Sequence, residues 1–430
     1  MKNKAVITNA LLLLFMALEN LCLYYFNKQG ILTQGKNAIL LFLSSILFGI
    51  ILLYRFYNTT ISIQAPAQQR GKKISYALVT LLVLGLILMG IPYNTFLIEH
   101  PNPLLSSDII PVIQIMCKRL FAGKYPYAII SAFGYDEHVA YFPFHWLPFT
   151  LAELLHIDYR WIPYLIWSIA ALWLCVRSMK IPGTALKVAM PFIILSSNYV
   201  LFCNNNSVIE ATVELMIAGY YMMLMTAMNK RNGVLQGVFI SFCLLSRFSL
   251  VLWLPLYAYT LFITHNRKQL YLSVATATAI VLFIFVIPFL SQDWSLLTAF
   301  KGYDSAALFE WTRLNKDGKP LQLWKGTGFA YYFYTRFTGL DVAARIKLLQ
   351  HTHIISCLLM TLIIGCWFWF KRKNIDYRIF LMGSFKIYLA IFLFLIQVPY
   401  EYLMCVGNFV TIAIFCEQAR YVRTVEYLNH

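Results

Sequence analysis

Runs of roughly twenty apolar residues recur from one end of this 430-residue chain to the other. A run of that length crosses the ~30 Å hydrocarbon core of a bilayer as a helix. This recurrence constrains the fold more than any other feature. Inside lipid, every backbone N–H and C=O needs a partner within the protein, which leaves only helices or closed barrels. A barrel would show segments of about ten residues with alternating polarity, and these are absent. The expected fold class is therefore all-α: a polytopic membrane protein of about 12 transmembrane helices, forming a single integral-membrane domain over residues 1–430. The expected spans are 5–26, 37–56, 76–97, 160–176, 188–203, 208–228, 233–247, 249–264, 270–291, 351–371, 376–398 and 402–418. No small-residue cleavage site closes the first run, Ala5 to Phe26, so it is expected to remain as a span and not to leave as a signal peptide.

Only 12% of the residues are charged, yet the formal net charge is +17. A soluble domain carries about 25% charged residues. In a soluble protein such an excess of cations would point to nucleic acid. Here the cations fall in every second loop, as the positive-inside rule and attraction to anionic lipid dictate, and no nucleic-acid partner is expected. The series runs from Lys2 and Lys4 through Arg55, Arg70, Lys72 and Lys73, then Arg177, Lys180 and Lys187, and on to Arg420 and Arg423. It puts both termini in the cytoplasm and two long polar loops, 98–159 and 292–350, on the outer face of the cytoplasmic (inner) membrane. Residues 142–156 are apolar enough to span, but a crossing there would turn Arg177, Lys180 and Lys187 outward. They are expected to form an interfacial or re-entrant helix. The nine cysteines show no CxxC spacing, so neither a disulfide framework nor a metal cluster is expected.

The first outer loop concentrates the reactive side chains. Asp108 follows Ser106-Ser107 and opens an amphipathic segment containing Ile109, Ile110, Val112, Ile113 and Met116. Such a segment lies along a membrane surface. Its Asp is either an N-cap or a general base for an acceptor hydroxyl. Lys118, Arg119 and Lys124 close the segment. They either snorkel to lipid phosphates or hold one particular phosphate, that of a lipid-linked donor. Tyr125, Tyr127, Tyr141 and His145 supply aromatic and polar surface to a substrate, or form an interfacial belt. Asp136, Glu137 and His138 are adjacent in sequence and do not converge on a metal without a partner from elsewhere. No HExxH or DxD motif is present, and no metal or other cofactor is expected. Glu137 and His138 remain candidates for substrate contact.

Four further positions stand out. Arg247 lies between the apolar runs Val238–Leu245 and Leu250–Leu254. A cation at membrane depth is a site candidate by default, so it either meets an anion or pairs with Glu210 or Glu214. Asn206 and Glu210 sit where two spans join at the outer face, and either contact substrate or cap the following helix. In the second loop, Arg313 lies among Trp311, Trp324, Lys325 and Arg336, a composition suited to sugars and phosphates.

This pattern resembles the GT-C glycosyltransferases, in particular the bacterial integral-membrane branch that includes polyprenyl-phosphate-mannose-dependent mannosyltransferases. That family has an Asp opening an amphipathic helix in an early outer loop, as at Ser107-Asp108. A Gly-x-x-x-Tyr element follows, as in Gly123-Lys124-Tyr125-Pro126-Tyr127, and then Tyr-Pro-Pro, here Tyr141-Phe142-Pro143 with Phe142 breaking the double proline. A turn such as Asn204-Asn205-Asn206, a basic turn such as Lys230-Arg231-Asn232-Gly233, and a late cation, here Arg247, complete an order that matches over residues 76–270. The resemblance implies an inverting hexosyl transfer at the outer face, possible for mannose among other sugars. A polyprenyl-phosphate sugar would be the donor and a glycan or lipid hydroxyl the acceptor. Asp108 would be the base, and Arg247 with the loop cations would hold the phosphate. A transporter or flippase of lipid-linked glycans, a polysaccharide polymerase or ligase, and a non-catalytic subunit of an envelope complex are the competing readings. The long early loop and the absence of a repeated half argue against transport.

Overall fold

The computed structural model describes residues 2–26, 34–58, 60–63, 72–101, 107–181, 184–204, 213–297 and 302–424. Helical structure occupies each of the twelve segments marked by apolar runs, from Lys2–Phe26 to Met404–Gln418. Seven of these helices are long and apolar enough to cross a membrane: Lys4–Tyr24, Ala38–Phe56, Ile74–Glu99, Trp161–Ser178, Arg267–Leu290, Val342–Lys371 and Tyr377–Phe394. Glu214–Met228, Gly233–Leu244 and Phe248–Ile263 are apolar but shorter. At 1.5 Å per residue, a helix of this size reaches only about 22 Å. The chain is thus a helical membrane protein with several spans.

Burial separates an inner from an outer set. Every residue of Glu214–Met228 and of Met404–Gln418 is buried, as is 89% of the apolar window of Tyr377–Phe394. By contrast, only 17% of the Ile74–Glu99 window and 28% of the Val342–Lys371 window is buried. The outer helices leave Leu88, Ile363 and Phe370 more than 60% exposed. Contiguous apolar surface on that scale is stable only against lipid or a partner.

Close approach inside the bundle relies on small residues. Gly233 and Gly237 face the Arg267–Val281 helix, and a Cβ on Gly237 would meet the Ser273 carbonyl oxygen at 2.5 Å. This is the small-xxx-small geometry that packs membrane helices. Buried polar groups then tie the Lys2–Phe26 and Gln34–Phe56 helices to the inner set. Glu19 and Lys386 form an ion pair at 2.9 Å with each side chain 1% exposed. Glu19 also accepts from Ser45 (2.7 Å) and Thr411 (2.6 Å), and Lys386 donates to Gly407 O at 3.0 Å.

Three features differ from the sequence expectation in detail. The helix expected from 351 begins at Val342, capped by Asp341, whose side chain accepts from Ala344 N at 2.6 Å. Its thirty residues reach about 45 Å, well beyond the hydrocarbon. The extra turns carry Ile346 and Leu349 into a satellite core with Trp311, Leu323, Ala330 and Phe333 from the second loop. Residues 143–155 form a broken helix, Pro143–Trp146, Leu147–Phe149 and Thr150–Leu155. Trp146, Phe149 and Ala152 are buried while Leu151, Leu154 and Leu155 are exposed, which suits an interface and is too short for a crossing. Finally, Thr60–Ile63 pairs antiparallel with Tyr421–Thr424, a small ribbon that helical periodicity does not reveal.

Candidate functional site

Asp108 immediately precedes the Ile109–Phe121 helix, but it is not a capping side chain. Its own backbone is already helical (φ −82°, ψ −12°) and its carboxylate makes no cap bond. A capping residue is extended and accepts from the first turn. Ser107 Oγ does so instead, accepting from Ile109 N at 3.2 Å. The Asp108 carboxylate turns to the loop, where Tyr135 OH donates to Oδ2 at 2.5 Å.

Tyr135 reaches it because residues 130–137 form a small hairpin. Ile130 and Glu137 exchange backbone bonds of 3.1 and 2.8 Å, and Gly134 turns the chain at φ +82°, a conformation glycine adopts without strain. Asp136 is consumed within this turn, accepting from Ser131 Oγ at 2.5 Å. Glu137, half-buried beside it, has its carboxyl raised by burial and then by the charge of Asp108, with His138 opposing. His138 itself is exposed. Burial and then Asp108 also raise the Tyr135 hydroxyl, which keeps it a donor. Among the described residues, no three His, Cys, Asp or Glu side chains converge on one point.

The far end of the chain completes the cluster. Tyr400 and Tyr402 stack at 5.1 Å, with their rings 8° from parallel. Tyr400 OH donates to Glu310 Oε1 at 3.3 Å and lies within electrostatic range of Asp108. Glu310 is raised by burial, against the pull of Arg313 and Tyr400. Arg313 is exposed, with its guanidinium 5.9 Å from the Phe309 ring centre. Tyr402 lies within range of Glu214, Arg247 and Glu310. The second loop is held in place here by Trp311 Nε1, which donates to Gln397 O at 2.8 Å, and by Phe329 N, which donates to Phe394 O at 2.8 Å.

Arg247 sits where the Gly233–Leu244 helix stops and the Phe248–Trp253 3₁₀ helix starts, in extended backbone (φ −156°, ψ 151°). Irregular backbone at membrane depth needs protein partners, and the 98–159 loop supplies them. Phe144 N donates to Leu245 O at 2.8 Å, and His145 Nδ1 lies 3.4 Å from Ser246 O. The Arg247 guanidinium pairs with Glu214, whose side chain is 1% exposed against 30% for Arg247. Burial first, and then the Arg247 charge, hold the His145 imidazole down to about 3. His145 is therefore neutral, stacked on Tyr141 at 4.5 Å, with no hydrogen bond to Nε2 among the described residues.

Neighbouring contacts thus link Asp108 to Glu137, to Arg313 through Tyr400, and to Arg247, His145 and Tyr141 through the Tyr400–Tyr402 stack. Other candidates are drawn elsewhere. Arg119 spends its guanidinium on the carbonyls of Pro126, Ala128 and Ile129, so it staples the loop. Tyr127 is 6% exposed and accepts from Trp146 Nε1 at 2.9 Å, so it is a packing residue with no surface for a substrate. Tyr125 is half-buried and donates to Phe289 O at 3.1 Å. Lys118 and Lys124 are exposed, and Lys118 lies ten residues on from Asp108, a rise of about 15 Å along the helix axis. Asn206 and Glu210 lie outside the described residues. Sequence reasoning missed Tyr135, Glu310, Tyr400 and Tyr402. The available signal was Pro399-Tyr400-Glu401-Tyr402, a polar aromatic break between two apolar runs.

An apolar groove also opens between the Lys72–Glu99 and Thr184–Asn204 helices, lined by Gly85, Met89, Phe192, Leu195, Ser196 and Tyr199. None of these residues belongs to the Asp108 cluster. Comparison of the chain with protein families, with curated proteins and with solved structures finds no match.

Proposed function

We propose that this protein is an inverting GT-C-type glycosyltransferase at the outer face of the cytoplasmic membrane. It moves a sugar from a polyprenyl-phosphate donor to a hydroxyl of a glycan or lipid acceptor. The observation that carries this reading is the Asp108 carboxylate. It is unused in helix capping, bonded to Tyr135, and continuous with Arg247 through Tyr400 and Tyr402. The acceptor oxygen attacks the anomeric carbon opposite the phosphate, and its proton passes to Asp108. The bond from that carbon to the phosphate oxygen breaks with both electrons on oxygen, releasing polyprenyl phosphate, and Asp108 returns its proton to water. A phosphate already leaves well, so one carboxylate suffices. Arg247 is the donor-phosphate ligand, with Glu214 its counter-ion while the site is empty. Glu137, Tyr141, His145 and Arg313 line the sugar and acceptor side. Lys118 and Lys124, exposed at the loop surface, draw anionic lipid toward it.

A transporter would need a buried titratable group along a path. The buried Glu19–Lys386 pair is one such group, but its oxygens and ammonium are met by Ser45, Thr411 and Gly407, which favours a structural role. The test is purified protein in liposomes with radiolabelled polyprenyl-phosphate sugars and membrane extract. Label should move to an acceptor with inverted configuration, and Asp108→Asn should stop this while leaving expression and insertion unchanged. Arg247→Ala should raise the KM for donor more than for acceptor. Wild-type turnover in Asp108→Asn would sink the assignment.

A further inference from the structure

The helices Trp161–Ser178, Glu214–Met228 and Met404–Gln418 all run away from the Asp108 region and end together on the opposite side of the bundle. There the Glu417 carboxylate takes two bonds from Arg177, Nε at 2.5 Å and Nη2 at 2.8 Å. It takes one from Arg420 Nη1 at 2.6 Å and one from Asn229 Nδ2. Lys230 stands within electrostatic range of the same carboxylate, and Lys180 within range of Lys230. Three cations, Arg177, Arg420 and Lys230, therefore share the Glu417 carboxylate, with Lys180 beside Lys230.

We propose that this cluster is a phosphate-binding site, separate from the Asp108 region and independent of the chemistry proposed there. Three observations support it. Arg177 and Arg420 are 8% and 5% exposed, so their charges are largely out of water, where an excess of one sign is costly. Arg420 Nε is buried and has no hydrogen-bond partner among the described residues, a donor left over once Glu417 is satisfied. Lys230 is held below the ordinary ammonium range by burial and then by Arg177, with Lys180 and Arg420 adding to it. An anion with several oxygens meets all three conditions, and guanidinium groups recognise phosphate by its geometry. Lys180 is exposed and Lys230 partly so, which leaves an approach from solvent or headgroups. Lys230 Nζ also lies 5.2 Å from the Trp173 ring centre, and tryptophan at this depth marks the headgroup level. The ligand is a phosphodiester lipid headgroup or a free phosphate.

The experiment is a thermal-stability series on the purified full-length protein in neutral detergent. Phosphatidylglycerol is compared with phosphatidylcholine, and inorganic phosphate with chloride at equal ionic strength. Wild-type Tm should rise by several degrees with one of the two phosphate sources, and that rise should shrink by more than half in Lys180→Gln/Lys230→Gln. This double variant leaves the Arg177–Glu417–Arg420 core intact, and Lys180→Gln alone provides a milder form. A response to phosphatidylglycerol alone identifies a lipid site, and a response to phosphate identifies a soluble anion. Lys371→Gln/Lys373→Gln, which removes the same charge from an exposed turn elsewhere, should keep the full rise. No response to either source, or an equal loss in this control, would overturn the proposal.

Discussion

At the scale of single residues, environment assigns roles that residue type leaves open. Asp108 could have been a helix cap, but Ser107 takes that bond and the carboxylate meets Tyr135. Arg247 could have faced lipid phosphates alone, but it is paired with Glu214. His145 gives a prediction with a definite sign. An unfolded imidazole takes up its proton near 6.5, whereas burial and Arg247 hold the folded one down to about 3. Between those values the unfolded chain binds more protons, so stability falls as pH drops through that window. In detergent, Tm should decline below pH 6.5, and His145→Gln should flatten the decline whatever its effect at neutral pH. An equal slope in both proteins would show that the buried histidine is not its source.

At the scale of elements, close packing and helix breaks matter most. The Gly233–Leu244 helix lies against Arg267–Val281 at a separation that only hydrogen allows at Gly237. Gly237→Leu should therefore destabilise the protein by about 1–3 kcal/mol, the usual cost of overpacking, seen as a lower Tm. Gly318→Ala, in an exposed turn with open space around it but φ +70°, should cost less than that. The break after Leu244 is a different device. It leaves backbone groups that the 142–146 segment satisfies, and so it ties the 98–159 loop to Arg247.

At the scale of the whole molecule, buried ions hold distant parts of the chain in one arrangement. Lys386 and Glu19 are 1% exposed on each side, so Lys386→Met should cost about 3–5 kcal/mol by leaving an uncompensated charge. Adding Glu19→Gln should recover most of that loss of Tm, and failure of the double variant to recover would mean that the lysine acts through Gly407 instead. The two polar ends of the bundle should also face opposite compartments. In right-side-out vesicles, an impermeant maleimide should label Lys118→Cys at once and Lys180→Cys only after permeabilisation. The reverse pattern would invert the topology and remove the proposed outer-face reaction.

The positions of the helices were legible in the chain alone, because hydrogen bonding within a helix is local and lipid forces every apolar segment to satisfy its own backbone. The polar loop around Asp108 and the odd cation at Arg247 were legible for the same reason, since each interrupts a hydrophobic pattern. The partners were not. Arg177 meets Glu417 across 240 residues and Tyr125 meets Phe289 across 164. Tyr400 reaches the Asp108 region from the other end of the chain. Such pairings depend on how each helix is rotated about its axis and which neighbour it packs against. Those choices are made by interlocking side chains from several helices at once, so no single stretch of sequence carries them. Loss of the Arg119 and Tyr127 side chains to carbonyls and core packing was decided at the same level.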